Sequence, residues 1–561
     1  MLIKFFKFIL ILILYQGPLY SKNKTLNNFN SRHLSNYFSG IVANKNKDNF
    51  KALKFFKSSK PLIKKHNSYL KRYIYSLVLE GEVQQAAIEI KRNSTKNNSN
   101  FFEAYLILSL ESLKNKRFKE SKDYLERSSK FINNDRFALI IYEILKQNLN
   151  IFDKKEPFKE KNNFGNLSVI NKVFQKCYLE DENTHTYFDA LINNSNGDDY
   201  SRYTFFYINY LVENNRYQEA KKITDNLDYL KTSLLNSQGK KWVEEKKKKK
   251  FKKIFSCKNP NDIMGELFFL IANLYSSQGI YEQSNFYLNL SHFLNPKFVF
   301  NLSLLAENHY LNKNYEKALE ILEHFDEDNE FYYWYRLKKE AQIISKETNN
   351  EESLGFINSN FKKIKDPSIK MIFDIASFNK NAKNYEKAIQ FYNQVILKID
   401  INSALYSEVL FRRGSSYERL GDFENADKDL LKSLEINPDD AYVLNYLAYS
   451  WLEREYEIDT ALQMLERAYE QKNNDPYIID SIGWAYYLID DFIKAESFLK
   501  RAVELMPEDA TVNDHYGDIL WKLDRKIQAR YFWSNVLNLK GTEDEMKKII
   551  YVKLIKGLKN F

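Results

Sequence analysis

The stretch Pro476-Tyr-Ile-Ile-Asp-Ser-Ile-Gly483-Trp-Ala-Tyr486-Tyr-Leu-Ile-Asp-Asp-Phe-Ile-Lys-Ala495-Glu-Ser-Phe-Leu499-Lys-Arg-Ala502-Val-Glu-Leu-Met-Pro507 decides the fold. It holds two apolar-periodic segments separated by Asp490-Asp491, with a small residue in the middle of each. Such spacing predicts two antiparallel helices that cross closely at Gly483 and Ala495, where a larger side chain would push them apart. The next unit repeats the pattern with Gly517, Leu520, Ala529, Trp533 and Val536, and Gly483 to Gly517 is 34 residues.

Working upstream, Ala448, Trp451, Ala461, Leu465 and Ala468 keep the pattern with one inserted residue, and Gly414, Tyr417, Ala426, Leu430, Ser433 and Pro438 keep it again. Weaker units follow at Ala376 with Ala388 and Tyr392, at Ala306 with Ala318 and Leu322, and at Ala272 with Ser284 and Leu288, while Ala341 lies halfway between Ala306 and Ala376. Further upstream only a 12-residue spacing survives, in Gly40 with Ala52, Ile74 with Ala86, Ser109 with Ser121, and Ile208 with Ala220. A fixed period of this length marks stacked repeats, none of which can bury its apolar face alone.

The last four units resemble the tetratricopeptide repeat. The resemblance implies an all-α superhelix of antiparallel helix pairs over 262–540, best formed over 407–540, behind a degenerate helical region over 22–239. Gly414, Ala426, Ala448, Ala461, Gly483, Ala495, Ala502, Gly517 and Ala529 are its expected packing positions. It also implies a concave groove lined by the first helices, here Tyr442, Asn445, Tyr449 and Leu452, then Tyr477, Asp480, Trp484 and Tyr487, then Thr511, Asp514, Asp518, Trp521 and Lys522. Asn445, Asp480 and Asp514 would form a polar ladder among aromatic stacking surfaces, suited to a partner segment carrying basic and apolar residues. The alternative is that some of these aromatics pack against the next repeat. A Lys/Asn/Arg clamp for a chaperone's terminal carboxylate is not expected, because acidic residues stand where cations would be needed.

Composition agrees with helices. With 15 Gly and 9 Pro in 561 residues there are too few turn formers for an all-β protein or a nucleotide-binding α/β enzyme, and 44% hydrophobic with 16% aromatic residues exclude wholesale disorder. No Gly-rich phosphate loop, zinc-binding His-Glu-x-x-His helix or Gly-x-Ser-x-Gly elbow occurs. His292, His309 and His324 lack ligand spacing, and Asp480, Asp514 and Asp518 have no neighbouring nucleophile for acid-base work. No catalytic residue, cofactor, metal or small-molecule substrate is therefore expected. The rival reading is a catalytic N-terminal half, an envelope hydrolase or glycosyltransferase whose repeats recruit substrate.

The net charge of +10 divides unevenly, because 407–540 carries 16 Lys and Arg against 26 Asp and Glu. The densest basic run, Lys240–Lys253, lies in an expected linker over 240–261, and a basic tail is expected over 541–561. The run reads first as a solvated linker and second as a contact for an anionic membrane surface, with nucleic acid not expected. Lys4 and Lys7 precede an apolar run from Phe8 to Tyr15, then Gly17-Pro18, the layout of a signal peptide over 1–21. Export to a periplasm follows, and there the two cysteines, Cys177 and Cys257, could form one bridge but neither a disulfide framework nor a metal cluster.

Overall fold

The computed structural model describes residues 31–558, apart from 65, 67, 95–98, 133–134, 159–161, 194–200, 228–231, 327–328 and 402. The expected leader over 1–21 lies outside the described residues. Among those described, every regular element is an α-helix or a short 3-10 turn, and no strand occurs. The fold is all-α, as the repeats imply.

Two compact units divide the chain: one runs to Asp225 and resumes over Gln238–Asp326, and the other holds Asn226–Ser237 and Glu327 onward. The repeats over 262–326 therefore pack with the N-terminal half rather than with the C-terminal array. Tyr75 stacks on Phe286 with centroids 4.4 Å apart, and Asn289 donates to the Leu79 carbonyl. The expected linker is largely helical, most of its lysines falling on Leu234–Glu244 and Lys248–Ile254, because Trp242 and Phe251 are apolar enough to bury against each other at 5.2 Å.

One turn recurs in both units. The first helix of a pair ends with a single residue in the left-handed region, and the next residue caps the second helix. Asp490 (φ 62°) donates its N–H to the Tyr487 carbonyl while Asp491 N–H reaches Tyr486, and the Asp491 carboxylate then accepts from Lys494 N–H. Lys313-Asn314 and Gly421-Asp422 do the same, as does Lys47-Asp48 far upstream, whose Asp48 carboxylate caps at Lys51. These bonds satisfy the carbonyls that a helix end leaves open. Only one left-handed residue is needed per turn, so Lys or Asp can fill it at a cost of about 1 kcal/mol, and few glycines suffice.

Crossing points fall where the small residues lie. A Cβ on Gly483 would stand 2.7 Å from Leu499 Cγ and 3.1 Å from the Leu499 backbone nitrogen, and one on Gly517 would collide with the Trp533 ring. Ala426, Ala448, Ala461, Ala495, Ala502 and Ala529 are fully buried, and Gly414 faces Leu430. In the N-terminal unit one 12-residue pair meets closely as well: Ser109 and Ser121 exchange reciprocal hydroxyl-to-carbonyl bonds of 2.8 Å.

That unit also holds a phenylalanine-rich core around a buried ion pair. Arg202 grips Glu266 through two bonds of 2.8 and 2.6 Å and lies 3.7 Å over the Phe269 ring. Beside it, Phe174 meets Phe255, and a disulfide joins Cys177 to Cys257 with Cα atoms 5.8 Å apart. The C-terminal unit closes with a helix over Asp544–Lys556, where a basic tail was expected. Ile550 and Lys553 provide the buried face that holds it.

Three sets of variants check this account. Asp490→Gly should raise the unfolding free energy of the C-terminal unit, read from its urea midpoint, by about 0.5–1 kcal/mol, whereas Gly421→Ala, at φ 77°, should cost about 1–2 kcal/mol. Gly483→Ala should cost about 1–3 kcal/mol through the forced shift of Leu499. Replacing both cysteines by serine opens a loop of 80 residues and should lower the unfolding free energy of the N-terminal unit by about 2–5 kcal/mol. Unchanged denaturation curves would contradict the assignments.

Candidate functional site

The first helices of three consecutive pairs, Ala441–Glu453, Pro476–Leu488 and Ala510–Lys522, together with the end of Ala404–Arg419, enclose a cavity of about 530 Å³. Asp440, Asp475 and Asp509 cap the N-termini of those helices, which fixes where their side chains begin. Of the residues expected to line a groove, Asn445, Tyr449, Tyr477, Asp480 and Thr511 border this cavity. Tyr442 and Tyr477 stand open to solvent, 53% and 59% exposed.

The others are already engaged. Trp484 is half-buried and sandwiched, its ring stacked on Tyr487 (centroids 4.6 Å apart) and on His515 (4.1 Å). Asp514 and Asp518 both bind Lys553 Nζ of the last helix, at 2.7 and 2.8 Å, and Asp518 also accepts from Trp533 Nε1. Trp521 packs beside Trp533 and under the Arg530 guanidinium. Asp480 is only 5% exposed; its Oδ2 pairs with His515 Nδ1 at 2.8 Å, while its Oδ1 has no partner. Asn445 Oδ1 is likewise buried without a donor.

His515 and Lys553, which complete this network, are absent from the residues expected to line the groove. His515 adjoins Asp514 in the chain, and Lys553 lies 35 residues after Asp518, close to the repeat period, so continuing the period past 540 would have reached it.

Burial, the largest influence on His515, pushes its pKa down, yet the Asp480 carboxylate in contact, aided by Asp514 and Asp518, outweighs it and leaves the imidazole raised above its ordinary value. Asp518 is pushed up to about 6 by burial first and by the neighbouring Asp514 second, with Lys553 opposing. The Tyr449 hydroxyl, bonded to Glu453, is raised mainly by burial.

The N-terminal unit has a cavity of its own, about 600 Å³, where Lys317 pairs with Glu80 and Glu320, Lys47 donates to Asn312, and burial lowers His309 to about 4. Among the described residues no cluster of three or more His, Cys, Asp or Glu is arranged to hold a metal ion, and no helix is long and apolar enough to cross a membrane.

Residues 369–397 and 407–440 match the tetratricopeptide repeat family model. These two segments carry tetratricopeptide repeats. It is 26% identical over 221 residues to the TPR repeat-containing protein PA4667 of Pseudomonas aeruginosa, a match covering 39% of this chain and about a third (35%) of that relative. Among solved structures it is similar to the thermophilic TPR protein TTC0263 of Thermus thermophilus (16% identity, 34% of this chain, all of that one, TM-score 0.30). It is also similar to MamA from Desulfovibrio magneticus RS-1 (21% identity, 31% of this chain, 97% of that one, TM-score 0.27).

The histidine provides the check on the electrostatics. A raised folded pKa means stability present below the ordinary value near 6.5 and lost as pH rises through the folded value. By nuclear magnetic resonance the His515 ring should titrate above 6.5, and Asp480→Asn should lower its pKa, since the main carboxylate opposing burial is then gone. A ring that titrates below 6.5 in the unaltered chain would refute the ion pair.

Proposed function

We propose that this protein is a non-catalytic scaffold or adaptor that binds a segment of another protein on the first-helix face of its C-terminal repeats. The observation that carries this reading is the open cavity bordered by exposed Tyr477 and by buried acceptors without donors, with exposed Tyr442 on the same helix as Asn445, on repeats of a kind that generally serves protein binding. Helix stacking holds these side chains in place before binding, which limits the ordering cost. The partner segment is basic and apolar, matching an array that is acidic overall. Glu418, Glu453 and Asp480 border the cavity, while Asp514 and Asp518 lie outside it and share Lys553, so attraction centres on the upstream part of the face.

The site of action we propose is the bacterial envelope, reached by export. Support comes from Lys4, Lys7 and the apolar Phe8–Tyr15, and from a disulfide of the type that persists in oxidising compartments. The exposed lysines 246, 247, 249, 250, 252 and 253 favour contact with an anionic membrane surface.

Photo-crosslinking tests the binding face. A crosslinking amino acid at position 442 or 477 should trap the partner segment in the native envelope, while one at position 493 or 527, exposed on second helices, should not. Tyr477→Ala should weaken recovery about tenfold or more. Equal trapping at all four positions would reject the face.

A further inference from the structure

Asn445, Asp480 and Asp514 occupy the same place in three consecutive first helices, 35 and 34 residues apart. The third place is filled: Lys553 Nζ lies 2.7 Å from Asp514 and 2.8 Å from Asp518, so the chain supplies its own cation there. The first two places are not filled in full: Asp480 Oδ2 pairs with His515 Nδ1 at 2.8 Å, but Asp480 Oδ1 and Asn445 Oδ1 are buried acceptors without a donor, on residues that line one cavity. A buried acceptor left unpaired keeps the cost of losing its water, and a ligand that donates to it recovers that cost.

The occupant's chemistry follows from the rest of the lining. Carboxylates Glu418, Glu453, Asp480 and Asp509 face only two guanidiniums, Arg419 and Arg454. Arg454 is already committed, bound to Asp427 at 2.8 Å and lying 4.6 Å over the Phe423 ring. An acceptor-rich, net acidic cavity with tyrosine faces at 449 and 477 rejects carboxylate and phosphate and accepts a planar group that brings only donors.

Resting on the groove reading above, we infer that this cavity is a pocket for an arginine side chain of the bound segment, its guanidinium donating to Asp480 Oδ1 and Asn445 Oδ1 between the rings of Tyr449 and Tyr477. The pocket repeats with an external cation what Lys553 does internally one repeat further on. It makes the upstream face selective for arginine, where general acidity would attract any base.

The test uses the full chain and three fluorescent dodecapeptide pools, randomised except for one central position fixed as arginine, citrulline or glutamate. Citrulline keeps the shape of arginine and most of its donors without its charge. The arginine pool should bind about tenfold tighter than the citrulline pool, and the glutamate pool weakest. In Asp480→Asn the arginine preference should fall to about threefold or less. Because that change also strips His515 of its partner, Glu453→Gln is measured beside it, with circular dichroism on both, and should also reduce the preference. Citrulline bound as tightly as arginine, or a preference unchanged in both variants, overturns the pocket while leaving the groove reading standing. Absence of binding by every pool overturns both.

Discussion

Each repeat depends on two helices approaching closely enough that backbone, not side chain, forms part of the contact. At Gly483 the room is less than one methyl group, and at Gly517 it is filled by the face of Trp533. Such crossings fix the angle of a pair, and the angle sets which side chains of the first helix look outward. The cavity above Asn445 and Asp480 exists because the two underlying crossings, at Ala448 with Ala461 and at Gly483 with Ala495, hold their helices in register.

Charge burial follows from that geometry. First-helix positions on the inner face lose water whether or not a ligand is present, so carboxylates placed there must find partners. The chain solves this once with His515 and once with Lys553, and both solutions also secure neighbouring structure: His515 completes the stack with Trp484 and Tyr487, and Lys553 anchors the final helix. The N-terminal unit meets the same demand differently, sinking Arg202 and Glu266 together among phenylalanines.

The fold was legible in the sequence because small residues at a fixed period have no rival explanation, and even the 12-residue spacing alone, at Ser109 and Ser121, marked a true crossing. The site was less legible. Repeat positions assign side chains to a face but do not tell which are taken by neighbours: Asp514, Asp518 and Trp484 fall on the expected face, yet their contacts are made with Lys553 and His515. Lys553 sits 35 residues beyond Asp518, in a stretch whose net charge suggested a tail and whose apolar period was too short to stand out. The grouping of 262–326 with the N-terminal half was hidden for a related reason, since pairings such as Tyr75 with Phe286 join residues 211 positions apart.

The disulfide changes how the chain would respond to tension. Between Cys177 and Cys257 lie enough residues to span about 270 Å when drawn straight, yet the sulfurs hold the two Cα atoms 5.8 Å apart. A pull applied at the two ends passes through the sulfur bridge and leaves that segment slack. The lysine-bearing helix Lys248–Ile254 lies within the bypassed loop, so a protein tethered at one end and loaded at the other could extend elsewhere while this surface kept its shape.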